Sequence, residues 1–262
     1  MKTPTAPVDR KASVYNRVPR VTPDFWLIKL MAVTMGETAA DYLNIQMGLG
    51  LTTTSLVMSA VLVAALVWQF SRKRYVPVSY WLAVVLISIV GTLITDNLVD
   101  NFGVPLKVTT AAFAVALAAT FAVWFAVERT LSIHSIFTNN REGFYWLAVL
   151  FTFALGTAVG DLIAEKFGLG YLATGVLFGM IIVSLALGYF LFELDAILGF
   201  WLVYILTRPL GASFGDLMSQ PAEYGGFGFG TIFTSLIFLA VIAATVVYMT
   251  ATREAEERIE AQ

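Results

Sequence analysis

The sequence predicts an all-α integral membrane protein of eight transmembrane helices, built as four parallel two-helix repeats with pseudo-symmetry. Three observations predict it. Of the 262 residues, 58% are hydrophobic and 13% charged, far too apolar for an ordinary water-soluble globule. Eight apolar runs each reach the roughly 20 residues that a helix needs to cross the hydrocarbon layer. One motif occurs four times: an aromatic-Trp-Leu triplet, a Gly nine residues beyond the Leu, and an Asp five residues beyond the Gly. The copies are Phe25-Trp26-Leu27 with Gly36 and Asp41, Tyr80-Trp81-Leu82 with Gly91 and Asp96, Tyr145-Trp146-Leu147 with Gly156 and Asp161, and Phe200-Trp201-Leu202 with Gly211 and Asp216. Such an internal repeat fixes the architecture before any single residue is interpreted.

The elements follow in order. Residues 1–24 carry Lys2, Arg10, Lys11, Arg17 and Arg20 with no apolar core, so they read as a short flexible cytoplasmic tail rather than a secretory signal. The apolar runs then fall at about 25–46, 52–71, 79–99, 107–129, 144–165, 171–192, 197–218 and 229–250. Paired, they give repeats at about 25–74, 79–135, 144–195 and 197–250, followed by a charged tail over 251–262. The first helix of each repeat holds the motif, and the second is plainer, as in Ser59-Ala60-Val61-Leu62. The tail, the Arg72-Lys73-Arg74 cluster and the loop with Arg129 and Arg141 fall on one side, which the positive-inside rule assigns to the cytoplasm, with both termini inside. Two helices per repeat is an even number, so all four repeats enter the membrane in one direction and their Asp residues approach one face. This excludes an inverted-repeat transporter but leaves the parallel kind. The Asp spacings of 55, 65 and 55 suggest a duplicated four-helix half.

Several chemistries are excluded. There is no Cys, which removes disulfides, thiolate metal sites and Cys nucleophiles. The only His, His134, lies in a loop and is expected to be solvated. Nothing points to nucleic acid. No enzyme is expected: an intramembrane aspartyl protease needs two Asp sharing a water, and a fourfold repetition has no use there.

The carboxylates carry the functional reading. If the aromatic-Trp pairs mark the cytoplasmic interface, an Asp 15 residues further on lies about 22 Å deeper at 1.5 Å per residue, in the outer half of the bilayer. The alternative is an Asp that ends its helix at the outer headgroups, although a helix C-terminus disfavours negative charge. Small or polar residues share its stripe: Glu37, Thr92, Thr157 and Ala212 four residues before the Asp, and Gly36, Gly91, Gly156 and Gly211 five before it. Such residues let helices pack closely in lipid. Asp100 and Glu165 lie one turn beyond the Asp, and Glu37 one turn before it. Thr54, Thr109 and Thr174 recur 13 residues after it, either as N-caps or as hydroxyls bordering the same site, with Thr231 or Thr234 as the fourth equivalent. Arg208, followed by Pro209 and an expected kink, lies two turns before Asp216. An intramembrane Arg is seldom idle; it either neutralises one carboxylate or moves into the site when a cation leaves.

Four carboxylates brought together in low dielectric need a cation, protons or an Arg. Ligands confined to oxygen suit a hard divalent cation such as magnesium, calcium or manganese. The expected function is therefore proton-coupled transport of such a cation across the bilayer. Asp41, Asp96, Asp161 and Asp216 are the expected metal ligands, Glu37, Asp100 and Glu165 additional cation-binding groups, and Arg208 the compensating or gating charge. The cation is substrate rather than cofactor. The alternatives are a cation channel with an Asp-ring filter and a non-transporting scaffold or sensor.

On the fourfold Trp-to-Gly-to-Asp pattern, with Thr207-Arg208-Pro209-Leu210-Gly211 and Gly156-Thr157-Ala158, the chain resembles the bacterial membrane-anchored proteins built from four tandem copies of a two-helix repeat of unknown function. The resemblance covers about residues 24–250 and implies the fold, the topology and a bacterial inner-membrane location. It implies no activity.

Overall fold

The computed structural model describes residues 15–260, which are helical with no strand among them. Lys2, Arg10 and Lys11 of the expected tail lie outside the described residues, as do 261–262. Eight long helices follow in order: α1 (Pro23–Asp41), α2 (Leu51–Phe70), α3 (Pro77–Asp96), α4 (Leu106–Glu128), α5 (Asn139–Asp161), α6 (Tyr171–Phe192), α7 (Ala196–Ser219) and α8 (Thr231–Glu260). The starts are dictated locally. Pro opens α1 and α3, where a missing N–H costs nothing, while Thr22, Thr138 and Asp195 cap α1, α5 and α7 by accepting from backbone amides.

Seven of these helices, α2 to α8, are long and apolar enough to cross a membrane, which makes this a multi-pass membrane protein. Eight were expected. The exception is α1, which carries Asp24, Lys29, Glu37 and Asp41 within 19 residues.

The odd-numbered helices form a closed inner ring. Contacts run from α1 to α3, α3 to α5, α5 to α7 and α7 back to α1. Each even helix packs on the first helix of the next repeat, α2 on α3, α4 on α5, α6 on α7 and α8 on α1. The most hydrophobic stretches of α3, α5 and α7 are 50–83% buried, against 6–22% for α2, α4, α6 and α8. The outer four therefore present Val, Leu, Ile and Phe side chains to lipid, where no water penalises them.

The motif now has a physical meaning. The aromatic residue of each triplet meets the Trp of the next: Phe25 with Trp81 at 5.6 Å, Tyr80 with Trp146 at 5.4 Å, Tyr145 with Trp201 at 6.1 Å and Phe200 with Trp26 at 5.6 Å between ring centroids. These rings lock neighbouring helices together at one end of the bundle. Trp81, Trp146 and Trp201 are buried between helices rather than turned outward. Higher up, each motif Gly touches the next inner helix three residues before that helix's own Gly. A Cβ at Gly36 would overlap Ser88, one at Gly91 would meet Phe153, one at Gly156 would overlap Arg208, and one at Gly211 would meet Val33.

The end carrying Arg72, Arg129 and Arg141 is closed by residues expected to belong to a flexible tail. Asn16, Arg17 and Val18 are buried. The Arg17 guanidinium donates to Asn139 and pairs with buried Glu142, both at 2.6 Å, and its backbone N–H donates to the Ile136 carbonyl. A charge desolvated by this packing needs its partner, and Glu142 supplies it while also accepting from Gln69 at 3.0 Å.

Candidate functional site

At the opposite end of the inner ring, Asp41, Asp96 and Asp161 are the last α-helical residues of α1, α3 and α5. Each is followed by one π-helical turn, Tyr42–Gln46, Asn97–Asn101 and Leu162–Lys166, closed by bonds from Met47, Phe102 and Phe167 to carbonyls five residues back. The helix widens at the carboxylate instead of ending there. Such turns gather at functional sites. α7 departs from the pattern, because its α-helix continues three residues past Asp216 to Ser219.

The four Asp residues share one neighbour. Asp41, Asp96, Asp161 and Asp216 all lie within Coulombic reach of Glu37, which is itself buried. Asp41 alone lines a cavity of about 300 Å³, with Ser219, Gln220, Pro221, Gly228, Gly230 and Thr231. Its Oδ2 accepts from Gln220 Nε2 at 3.4 Å. Asp100 and Glu165 are exposed, and Glu165 accepts from the Tyr171 hydroxyl at 3.2 Å. They stand outside the Asp layer, because a turn beyond the Asp carries them out of the packed ring.

The expected four-Asp metal site is not preformed. Among the described residues, no three acidic or His side chains close around a point that would hold a metal ion. The register explains this: Asp41 leans toward Gln220, and Asp216 sits within an unbroken helix while the other three precede π turns.

One turn deeper the ring is plugged. Arg208 is fully buried, and its Nη1 pairs with Glu37 Oε2 at 2.8 Å. Its Nη2 donates to Thr92 Oγ1 and, at 2.8 Å, to Thr157 Oγ1. Thr92 in turn donates to Glu37 Oε2 at 3.1 Å. Glu37, Thr92 and Thr157 occupy the same motif position in the first three repeats, so one guanidinium from the fourth repeat is gripped by all the others. Arg208 thus neutralises a carboxylate as one expectation held, but its partner is Glu37 and not an Asp.

A second basic residue lies beneath the plug, one that sequence reasoning passed over. Lys29 is fully buried, donates to the Tyr204 carbonyl at 2.9 Å and to Thr207 Oγ1 at 2.5 Å, and sits 3.9 Å from the Tyr204 ring centroid and 5.0 Å from that of Phe153. An ionisable residue inside the first apolar run was the available signal. The next layer toward the basic end is phenolic. Tyr80 and Tyr145 share a hydrogen bond of 2.5 Å, and the Tyr204 hydroxyl lies beside Tyr145 without completing a hydrogen bond.

The recurring Thr residues are not N-caps. α2, α4, α6 and α8 begin at Leu51, Leu106, Tyr171 and Thr231, three residues before Thr54, Thr109, Thr174 and Thr234. The fourth equivalent is therefore Thr234. All four are buried, and the Thr54 and Thr174 hydroxyls have no hydrogen-bond partner. The residue after each Thr meets the next inner helix near its Asp: Ser55 donates to the Leu93 carbonyl, Thr110 to that of Ala158, Gly175 abuts Ser213, and Ser235 shares a 2.6 Å hydrogen bond with Thr38.

Beyond this axis, an apolar cleft of about 800 Å³ opens between α1, α6 and α7, with Trp26, Leu30, Tyr189, Phe200 and Thr207 among its walls. His134 stands at its edge, exposed as expected, and the partial loss of water against the cleft wall together with the Arg20 charge holds its imidazole below the ordinary His value.

Four segments of the chain, 25–75, 79–130, 144–194 and 199–255, match the family described as Repeat of Unknown Function (DUF347). No curated protein and no solved structure matches the chain.

Proposed function

Because the chain belongs to the family built from this Repeat of Unknown Function (DUF347), which brings no activity with it, we propose a function from the residues: a proton-coupled carrier for a hard, oxygen-ligated cation. In this reading all eight helices span a bacterial inner membrane with pseudo-fourfold symmetry and with both termini cytoplasmic. α1 is tolerated there because its charges face the ring and not lipid, Lys29 and Glu37 being buried.

One observation carries the proposal: four Asp residues around Glu37 at one end of the inner ring, with Asp41 lining a cavity and with Arg208 and Lys29 buried deeper in the ring. A hard cation is drawn to the Asp residues by charge, and compensating protons leave the protein as it binds, since grouped carboxylates do not all stay ionised without compensation. A passive cation channel is disfavoured, because a permeant cation would have to pass the buried Arg208 guanidinium in a low dielectric. The same plug supports a second reading, a sensor that binds the cation at the outer mouth and conducts nothing.

Proteoliposome uptake of manganese, calcium and magnesium separates these readings. Wild type is expected to accumulate at least one of them under a pH gradient. Asp96→Asn and Asp161→Asn should each lower the rate by roughly tenfold, the equivalent of about 1.4 kcal/mol of lost charge-assisted binding. Binding without uptake would establish the sensor, and neither binding nor uptake would sink the cation reading.

A further inference from the structure

Lys29 is a buried base that cation binding leaves without a task. Among the described residues it forms no ion pair, and its hydrogen-bond acceptors are neutral, the Tyr204 carbonyl and Thr207 Oγ1. Two acceptors match the two N–H bonds of a neutral amine. An ammonium carries a third, and the faces of Tyr204 and Phe153 lie where a cation is held by the ring quadrupole. The pocket therefore seats both protonation states. The turn it grips is also loosened, because Pro209 removes the amide that would bond the Ile205 carbonyl, next to Tyr204.

The groups facing Lys29 are few. From α7 they are Tyr204 and Arg208, and from α5 the Phe153 ring, which also carries the Arg208 guanidinium at 5.5 Å from its centroid. Toward the basic end the titratable side chains are Tyr80 of α3 and Tyr145 of α5, whose hydroxyls share a hydrogen bond, and the apolar stretch Thr231–Thr252 of α8 carries the exposed Tyr248. Arg208 never deprotonates, so its position fixes the field at Lys29. Paired with Glu37, it stands above Lys29 and opposes a proton there. Drawn toward ionised Asp residues after the cation leaves, it would take that opposition away.

We propose that Lys29 is the proton-exchanging residue of the carrier, neutral while Arg208 is held by Glu37 and protonated when Arg208 moves to the Asp layer. The step is a single proton transfer: an O–H bond of water or of a carboxylic acid breaks, and an N–H bond forms at Nζ. One positive charge enters the layer as another leaves it, so the burial cost of net charge is avoided in both states. The assignment rests on the carrier reading.

Two measurements test it, one of them independent of transport. In proteoliposomes with manganese, wild-type uptake is expected to rise roughly tenfold on imposing a pH gradient, whereas uptake by Lys29→Gln and by Lys29→Arg is expected to ignore the gradient. A role confined to holding a positive charge would be rescued by Arg, and such rescue would overturn the proposal. In purified protein labelled at Lys Nζ with ¹⁵N, the Lys29 signal is identified by its loss in Lys29→Gln. It is expected to report a neutral amine in wild type and an ammonium in Glu37→Gln, where Arg208 loses its partner. An unchanging protonation state in both proteins would overturn the assignment. If wild type moves no manganese under any gradient the carrier reading fails, and the NMR measurement alone then decides whether Lys29 exchanges a proton.

Discussion

Two neighbouring levels of the inner ring obey opposite rules. At the level of Gly36, Gly91, Gly156 and Gly211, the same residue makes the same close approach four times. The residues these glycines receive are all different: Ser88, Phe153, Arg208 and Val33. One residue beyond the glycines stand Glu37, Thr92, Thr157 and Ala212, equally varied. The repetition therefore resides in packing and the chemistry in departures from it. A Gly accepts any side chain brought against it, which is what allows one repeat to carry an Arg where the others carry Val, Ser or Phe without breaking the ring.

The largest effect is expected from breaking the variable level. Arg208→Met leaves Glu37 buried beside Thr92 with no cation, and losing one partner of a buried pair costs about 3–5 kcal/mol. Glu37→Leu should cost a similar amount by stranding Arg208, whose Nε already lacks a partner. Combining the two removes both charges, and the double variant is expected to be more stable than either single one. Reversible unfolding in mixed detergent, read as a double-mutant cycle, measures this. Additive losses would mean that the 2.8 Å pair contributes nothing as a pair.

The packing level should respond next. Gly156→Ala places a methyl into the Arg208 stem and within 3.1 Å of Pro209 Cδ, an overpacking worth about 1–3 kcal/mol. Gly160→Ala, one turn away on the same helix, meets its nearest atoms at 3.7–3.8 Å. That is ordinary contact, so the helix preference for Ala over Gly, about 1 kcal/mol, should prevail and stabilise the protein. Thermal melts of the two variants moving in opposite directions would confirm that the motif Gly, and not Gly in general, holds the ring.

The helices and their order were legible in the sequence because apolar length and a fixed motif spacing are local properties. The ring was not. That Phe25 faces Trp81 and Gly36 faces Ser88 depends on which helices are neighbours, which spacing along one chain does not encode. Glu37 and Arg208 stood out as breaks in the repeat, but their pairing required knowing that α1 and α7 close the circle. Lys29 was hidden for a different reason. It has no counterpart in the other repeats, where Val84, Val149 and Tyr204 occupy its position, so a reading organised around what recurs passes over it. Equal spacing fixes the depth of the four Asp residues along their helices but not the direction in which each carboxylate leans, so whether they gather around one point was not legible in the sequence.

The smallest expected effects compare equivalent positions in the second helices. Thr234 donates to the Gly230 carbonyl at 2.8 Å, so Thr234→Val should lose about 0.5–1.5 kcal/mol. The Thr54 and Thr174 hydroxyls are equally buried and have no partner. Thr54→Val and Thr174→Val remove an unmet polar group at nearly constant shape and should be neutral or slightly stabilising, because an unsatisfied buried hydroxyl costs about 1–3 kcal/mol to retain. In the proposed carrier these two hydroxyls would serve the cation-bound state, which would account for the cost being tolerated in two repeats out of four. The variants should therefore match or exceed wild type in stability while transporting manganese more slowly. Unchanged transport with raised stability would instead make these two Thr residues remnants of the repeat.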